Sequence, residues 1–240
     1  MPLMFFDWTI FILLPAIVLA MWAQNRVSTN LNKYAQVNTK RGLSGAVIAS
    51  QVLADHGLRD VKVERLPDHK PWGDHYDPKC RTIRLSPHVY DGHSISAAAV
   101  AVHEVGHAIQ HSERYSPLAV RTGFFPVVKI SSGAAVPLIF IGFILGMLGF
   151  VAPQWSMLII DIGIIFFAVT VVFHLITLPV EFNASRRAME LLEAGRYIDG
   201  DNEVAMTRKV LNAAAMTYVA AAAVAIAQLL RFILMANSRR

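Results

Sequence analysis

Apolar residues gather in four long runs, at about 3–23, 127–151, 157–180 and 213–236. Each approaches the roughly 20 residues an α-helix needs to cross the hydrocarbon core of a bilayer. The fourth starts Ala-rich and is interrupted by Gln228 and Arg231, which predicts a helix that is tilted or partly packed against others. The first run has no basic leader, carries Asp7 and shows no small-x-small site before Gln24. It therefore reads as a retained anchor rather than a cleaved signal peptide.

Residues 24–126 form the large polar block. Ser44 is placed to cap a helix running to about His56, with Gly57 as its stop. Val61 and Val63 alternate with Lys62 and Glu64, as in a short strand. Asp77-Pro78-Lys79-Cys80 is turn chemistry, and the strand pattern at 81–85 after it predicts a hairpin. Ser94 or Ser96 then opens an Ala-rich helix reaching about His111. A second, shorter polar block follows the third apolar run. Pro179 suits the first turn of a helix that continues through Leu192 and stops at Gly195. The expected organisation is an anchor at 1–25, a large polar unit at 26–126, a transmembrane hairpin at 127–178, a polar helical segment at 179–211 and a last transmembrane helix at 212–240.

Composition agrees with a membrane protein. Of 240 residues, 55% are hydrophobic and 16% charged, against about 45–50% and 25% in soluble domains. The net charge of +5, beside such apolar runs, points to anionic lipid and not to nucleic acid. One cysteine, Cys80, excludes an internal disulfide framework and a four-Cys zinc site. Lys and Arg also orient the chain. None precedes the first run, thirteen lie from Arg26 to Arg121, none lies between the second and third runs, and Arg186, Arg187, Arg196, Arg208 and Lys209 follow the third. Both polar blocks thus fall on one side, expected to be cytoplasmic, with the N-terminus outside. Arg239 and Arg240 oppose this if the fourth run crosses fully.

The sharpest chemical signal is His103-Glu104-Val105-Gly106-His107. Positions four apart share one helix face, so two imidazoles can grip one metal ion. The metal makes water nucleophilic near neutral pH, and the carboxylate of Glu104 can take its proton. This is the logic of the zinc metalloprotease helix. Val100, Ala101, Val102, Val105, Ala108 and Ile109 around it are uncharged, so the helix is expected to be buried on most sides, where polar groups need a reason.

Catalytic zinc takes three protein ligands and keeps one open position. The extended metzincin pattern fails, because residue 113 is Glu and residue 110 is Gln. His111 lies two turns beyond His103. Asp161, followed by Gly163, would serve a site-2-type intramembrane protease. It lies about 30 Å along a helix from residue 181, at the far end of the third run. Glu181 falls on the side of the motif, in Pro179-Val180-Glu181-Phe182-Asn183-Ala184-Ser185, and small residues at 184, 185 and 188 allow close approach of another helix. Its alternative role is a helix N-terminal charge complementing the dipole.

With these segments in hand, the chain resembles the YugP-like neutral membrane zinc metallopeptidases of bacteria. The resemblance covers nearly the whole chain. It runs through Gly42-Leu43-Ser44-Gly45, His75-Tyr76-Asp77-Pro78, Thr82-Ile83-Arg84-Leu85-Ser86, the His103 to His107 motif with Ala108-Ile109-Gln110, and Leu178-Pro179-Val180-Glu181-Phe182. More distantly it is similar to the membrane gluzincins that include the heat-shock protease and the prenyl-protein endopeptidase. There the third ligand is the Glu of a Glu-Phe-x-Ala-Asp segment. Carried over, that is Glu181, with Ser185 where those relatives hold Asp. The resemblance implies a polytopic α-helical membrane protein with a zincin-like α+β cytoplasmic unit in a bacterial inner membrane. It implies metallopeptidase activity at a membrane but little about substrate; the expectation is one zinc per chain on His103, His107 and Glu181, Glu104 as general base, and an unfolded or membrane-tethered polypeptide as substrate.

In zinc proteases of this general fold an edge strand pairs with extended substrate, a role the strand at 81–85 could fill. His75 and Tyr76 are candidates for oxyanion stabilisation. Arg186 and Arg187 are candidates for the same task, or for contact with lipid phosphates or acidic side chains. His174 and Asp161 are ionisable groups inside an apolar run. His69, His88 and His93 read as surface residues, and Cys80 has no partners for thiol catalysis. Two alternatives to the peptidase reading stand: an intramembrane protease using Asp161, and a non-catalytic metal-binding membrane scaffold. The intact Glu104 argues against the second, since metal binding alone does not need it.

Overall fold

A computed structural model of the chain describes residues 8–69 and 73–238. Residues 3–7 of the first apolar run, with Asp7, and the terminal Arg239 and Arg240 lie outside the described residues. A short 3-10 segment, Trp8–Ile12, leads into α1 (Leu13–Ala35). There follow α2 (Gly45–Asp55), β1 (Lys62–Arg65), β2 (His75–Asp77), β3 (Thr82–Leu85), α3 (Pro87–Tyr90), α4 (Ile95–Ser112), α5 (Ser116–Leu148), α6 (Pro153–Ala194) and α7 (Gly200–Asn237). Four helical stretches, Trp8–Ala35, Ser116–Leu148, Pro153–Ala194 and Gly200–Asn237, are long and apolar enough to cross a membrane.

These helices outrun the apolar segments that announce them. The clearest difference is at Pro179, where the sequence pattern predicts a helix start. The structure carries α6 straight through it. Proline there removes the N–H that would bond the carbonyl of Leu175, a cost of roughly 3 kcal/mol in a helix interior. The change from apolar to polar composition marks a change of surroundings, not the end of a helix.

The chain divides into two compact units. The first takes the N-terminal residues up to Trp22, Val120–Leu178 and the chain from Tyr218 onward. Its core is small: Ile139, Phe143, Ile160, Phe232 and Ala236, with Phe167 set edge-on to Phe232 at 5.2 Å. Gly163 lets α5 and α6 close up, since a Cβ there would sit 2.6 Å from Ile139 Cγ1 and 2.9 Å from the Ala135 carbonyl oxygen. Large apolar side chains such as Ile130, Ile165 and Leu175 point outward instead. A surface of this kind suits lipid, not water.

The second unit takes Ala23–Ala119 and Pro179–Thr217. Its sheet has the order β1-β3-β2, with β1 parallel and β2 antiparallel to β3. The predicted hairpin is β2–β3. The strand starts at Thr82, one residue later than expected, because Arg81 takes a left-handed φ of 48°. β3 lies in the middle with both edges paired, so it cannot add a substrate strand; the edge strands are β1 and β2. This corrects the expectation for 81–85. The parallel partner β1 comes from about 20 residues upstream (Lys62 opposite Thr82), a pairing no local pattern encodes.

The core of this unit joins Ile48, Val52 and Leu53 of α2, Ile83 and Leu85 of β3, the Ala-rich face of α4, and Ala188 and Leu192 of α6. Ser44 caps α2 by accepting from Val47 N at 3.4 Å, and Ser94 caps α4 by accepting from Ala97 N at 3.1 Å. The turn after α6 is tied down as well. Glu203 accepts from the backbone N–H of Lys40 at 2.8 Å and of Asp199 at 2.7 Å, and Arg41 donates to the Gly195 carbonyl at 2.7 Å.

Candidate metal centre

All residues of the centre lie in the second unit. The helix α4 is buried on nearly every side, including Glu104, His107 and Gln110. The segment of α6 after Pro179 buries Val180, Glu181, Ala184, Ser185, Ala188 and Leu192, a helical stripe broken only by polar Glu181 and Ser185. Gly106 sets how closely the two helices meet. A Cβ there would come within 2.9 Å of the Ala184 carbonyl oxygen. Small residues on both helices thus bring Glu181 up to the motif.

His103 Nε2 lies 3.3 Å and His107 Nε2 3.5 Å from Glu181 Oε2. The three side chains offer one ligand atom each within 4.8 Å of one another. The donor set fits zinc, which takes imidazole nitrogen and carboxylate oxygen and leaves a fourth position. The other ring nitrogens are engaged. His103 Nδ1 is 3.3 Å from Ser185 Oγ, and His107 Nδ1 is 3.0 Å from Gln110 Oε1. Metal-ligating histidines have this arrangement, one nitrogen to the metal and the other to an oxygen. Ser185 thus supplies the oxygen at the His103 ring.

Electrostatics reflect the convergence. Burial works against charge on both partners. Yet the two imidazoles hold the Glu181 carboxyl well below the usual carboxylate range, and Glu181, with Glu104, pushes His107 up. Glu104 is buried, one residue from the first histidine, and no side chain among the described residues hydrogen-bonds it. A cavity of about 80 Å³ lies beside the start of α4, lined by Leu31, Ala35, Val89, Ala97 and Val100, with Asn32, Asp74, His88, Ser94 and Ser96 as polar members. Ser96, Val100, His103 and His107 recur at helical spacing, so cavity and histidines share one face of α4.

The remaining candidates separate. Asp161 and His174 belong to the first unit, and neither is part of the metal-capable group. His111 is not part of it either; its Nδ1 meets the Tyr76 hydroxyl at 2.9 Å. Burial pushes the Tyr76 hydroxyl up. His75 is exposed and turned to the Gly73 carbonyl. Arg187 binds Glu113 at 2.6 Å and Asn183 at 2.8 Å, and Arg186 is exposed, 4.0 Å from Glu190. Of the two roles weighed for these arginines, the structure shows the acidic contacts. His69, His88 and His93 are exposed. Gln110 and Asn183 are the site residues to which motif reading gave no role. The available signal was polar side chains at helical positions otherwise small or apolar.

The class of protein follows from comparison. The family described as "Putative neutral zinc metallopeptidase" matches residues 9–237, and the chain belongs to that family. Among its relatives is the "Putative membrane protease YugP" of Bacillus subtilis (strain 168), 48% identical over 225 residues, which span 94% of this chain and 95% of that protein. No solved structure matches the chain.

Proposed function

We propose that this protein is a multi-pass membrane metallopeptidase that binds one zinc through His103, His107 and Glu181 and uses Glu104 as general base. The observation carrying the proposal is the convergence of two Nε2 atoms and one carboxylate oxygen from α4 and α6, with both Nδ1 atoms engaged by oxygen. Zinc held there supplies Lewis acidity, making water nucleophilic near neutral pH and polarising the scissile carbonyl. Glu104 takes the proton of the attacking water on its carboxylate and then delivers it to the leaving amine. Its burial strengthens that interaction and keeps bulk water away.

The substrate is a polypeptide in extended form, unfolded or tethered to the membrane. The outer edge of β2, unpaired among the described residues and packed on α4, offers main-chain hydrogen bonds to such a chain. The cavity on the same face of α4 takes an apolar side chain. An apolar cavity of about 150 Å³ holds benzene, so one about half that size suits a valine-sized group. The distribution of Lys and Arg supports a cytoplasmic catalytic unit with the N-terminus outside, in the inner membrane of a bacterial cell.

Glu104→Gln tests the mechanism. The variant is expected to keep its zinc and to lose hydrolysis of an unfolded polypeptide such as casein by about 100-fold or more. Unchanged turnover would sink the role of Glu104.

A further inference from the structure

We infer that Gln110 is a positioning residue that dictates the tautomer of His107 and locks it to the helix segment bearing Glu181. The inference rests on the metal reading of His103, His107 and Glu181. Gln110 is fully buried, at 0% exposure. A buried amide without partners is costly, and this one has three. Its Nε2 donates to the Val180 carbonyl at 2.8 Å and to Asn183 Oδ1 at 2.9 Å, and its Oε1 faces His107 Nδ1 at 3.0 Å.

The polarity of these bonds leaves one arrangement. A backbone carbonyl only accepts, so the amide nitrogen must face Val180. That puts the amide oxygen on His107. An amide oxygen also only accepts, so neutral His107 carries its proton on Nδ1 and presents the lone pair of Nε2 toward Glu181. The orientation of Asn183 is set in the same way, because its Oδ1 accepts from Arg187 Nε at 2.8 Å and a guanidinium has no acceptor. Arg187 is held in turn by Glu113 at 2.6 Å. Donation therefore runs outward from the buried ring through Gln110 to Asn183 Oδ1, which also accepts from the arginine of the exposed ion pair.

Three of the links cross between the helices: Gln110 on α4 to Val180 and to Asn183 on α6, and Arg187 on α6 to Glu113, the residue that caps α4. Val180 immediately precedes Glu181. Gln110 thus orients a ligand of its own helix and seats the backbone beside the ligand of the other. His103 lacks this control: its partner is the Ser185 hydroxyl, which both donates and accepts.

The test is zinc affinity of the full chain in detergent, measured by competition with a chelator, for wild type, Gln110→Met and Ser112→Ala. Among the described residues, the Ser112 hydroxyl bonds only the Ile109 carbonyl of its own helix, and Ser112 serves as control. Gln110→Met is expected to bind zinc about 10- to 100-fold more weakly, with Ser112→Ala unchanged. Wild-type affinity in Gln110→Met overturns the role of Gln110 and leaves the metal centre standing, whereas absence of zinc from wild type overturns the metal reading itself. Histidine ¹⁵N spectra of zinc-loaded wild type decide the point without any variant. The proton is expected on Nδ1 of His107 and the metal on Nε2; the reverse assignment refutes the inference.

Discussion

The two units bury opposite things. In the first, apolar residues face outward and the helices meet through glycine and a few large side chains. In the second, apolar residues face inward and close over a small set of polar ones. One helix, α6, shows both patterns. Before Pro179 it exposes Ile162, Ile165, Val172 and Leu175; after it, Val180, Ala184, Ala188 and Leu192 are buried. The lesson is that hydrophobicity alone does not say which face of a helix is covered. What singles out the site is the exception in the second pattern, a carboxylate only 2% exposed on the inward stripe. A buried carboxylate is costly unless charge-paired or bound to metal.

The sharpest way to break this contrast is to place the same charge on an exposed apolar position in each unit. Ile165→Asp, at a position 62% exposed in the first unit, is expected to cost about 2.5–3.5 kcal/mol of membrane insertion. Val47→Asp, at a position 41% exposed in the second, should stay within about 0.5 kcal/mol. Membrane-integrated yield and thermal unfolding of both variants measure the difference. Equal effects would mean that the first unit does not face lipid.

Gly106→Ala probes the contact that presents Glu181. Its Cβ would meet a backbone carbonyl, which yields little, so about 1–3 kcal/mol of stability should be lost. Zinc binding should weaken with it, since the third ligand moves away from the histidines. A variant of wild-type stability and affinity would show that the close approach is not required.

The smallest effect concerns the exposed end of the polar chain. Arg187 holds the Glu113 carboxyl below its ordinary value of 4.5. A depressed folded pKa contributes stability that is present above pH 4.5 and lost as pH falls through the folded value. Glu113→Gln should therefore cost under about 1 kcal/mol at pH 7, and that cost should fade as pH drops through the folded value of the carboxyl. Melting curves of both proteins across that range give the comparison. A cost that grows toward low pH would contradict the assignment.

Much of this arrangement was legible in the sequence, and for identifiable reasons. Apolar runs of membrane length, the serine caps at 44 and 94, and the turn at 77–80 are local signals, and each appears in the structure. Charge placement was enough to bring Glu181 to the side of His103 and His107, and the structure sets the three together. What escaped was non-local. The central position of β3 depends on a parallel partner from an earlier segment. The continuity of α6 through Pro179 depends on packing along both of its halves. The role of Gln110 depends on which atoms of α6 face it, although its place amid buried residues was a hint.

The central claim is that two histidines of α4 and a glutamate of α6 share one metal ion. Metal content per chain of detergent-purified protein, wild type beside Glu181→Gln, tests it most directly. The account predicts about one zinc per wild-type chain and its loss or strong weakening in the variant. Full zinc retention in Glu181→Gln would contradict the account, since a buried third ligand could not then be Glu181.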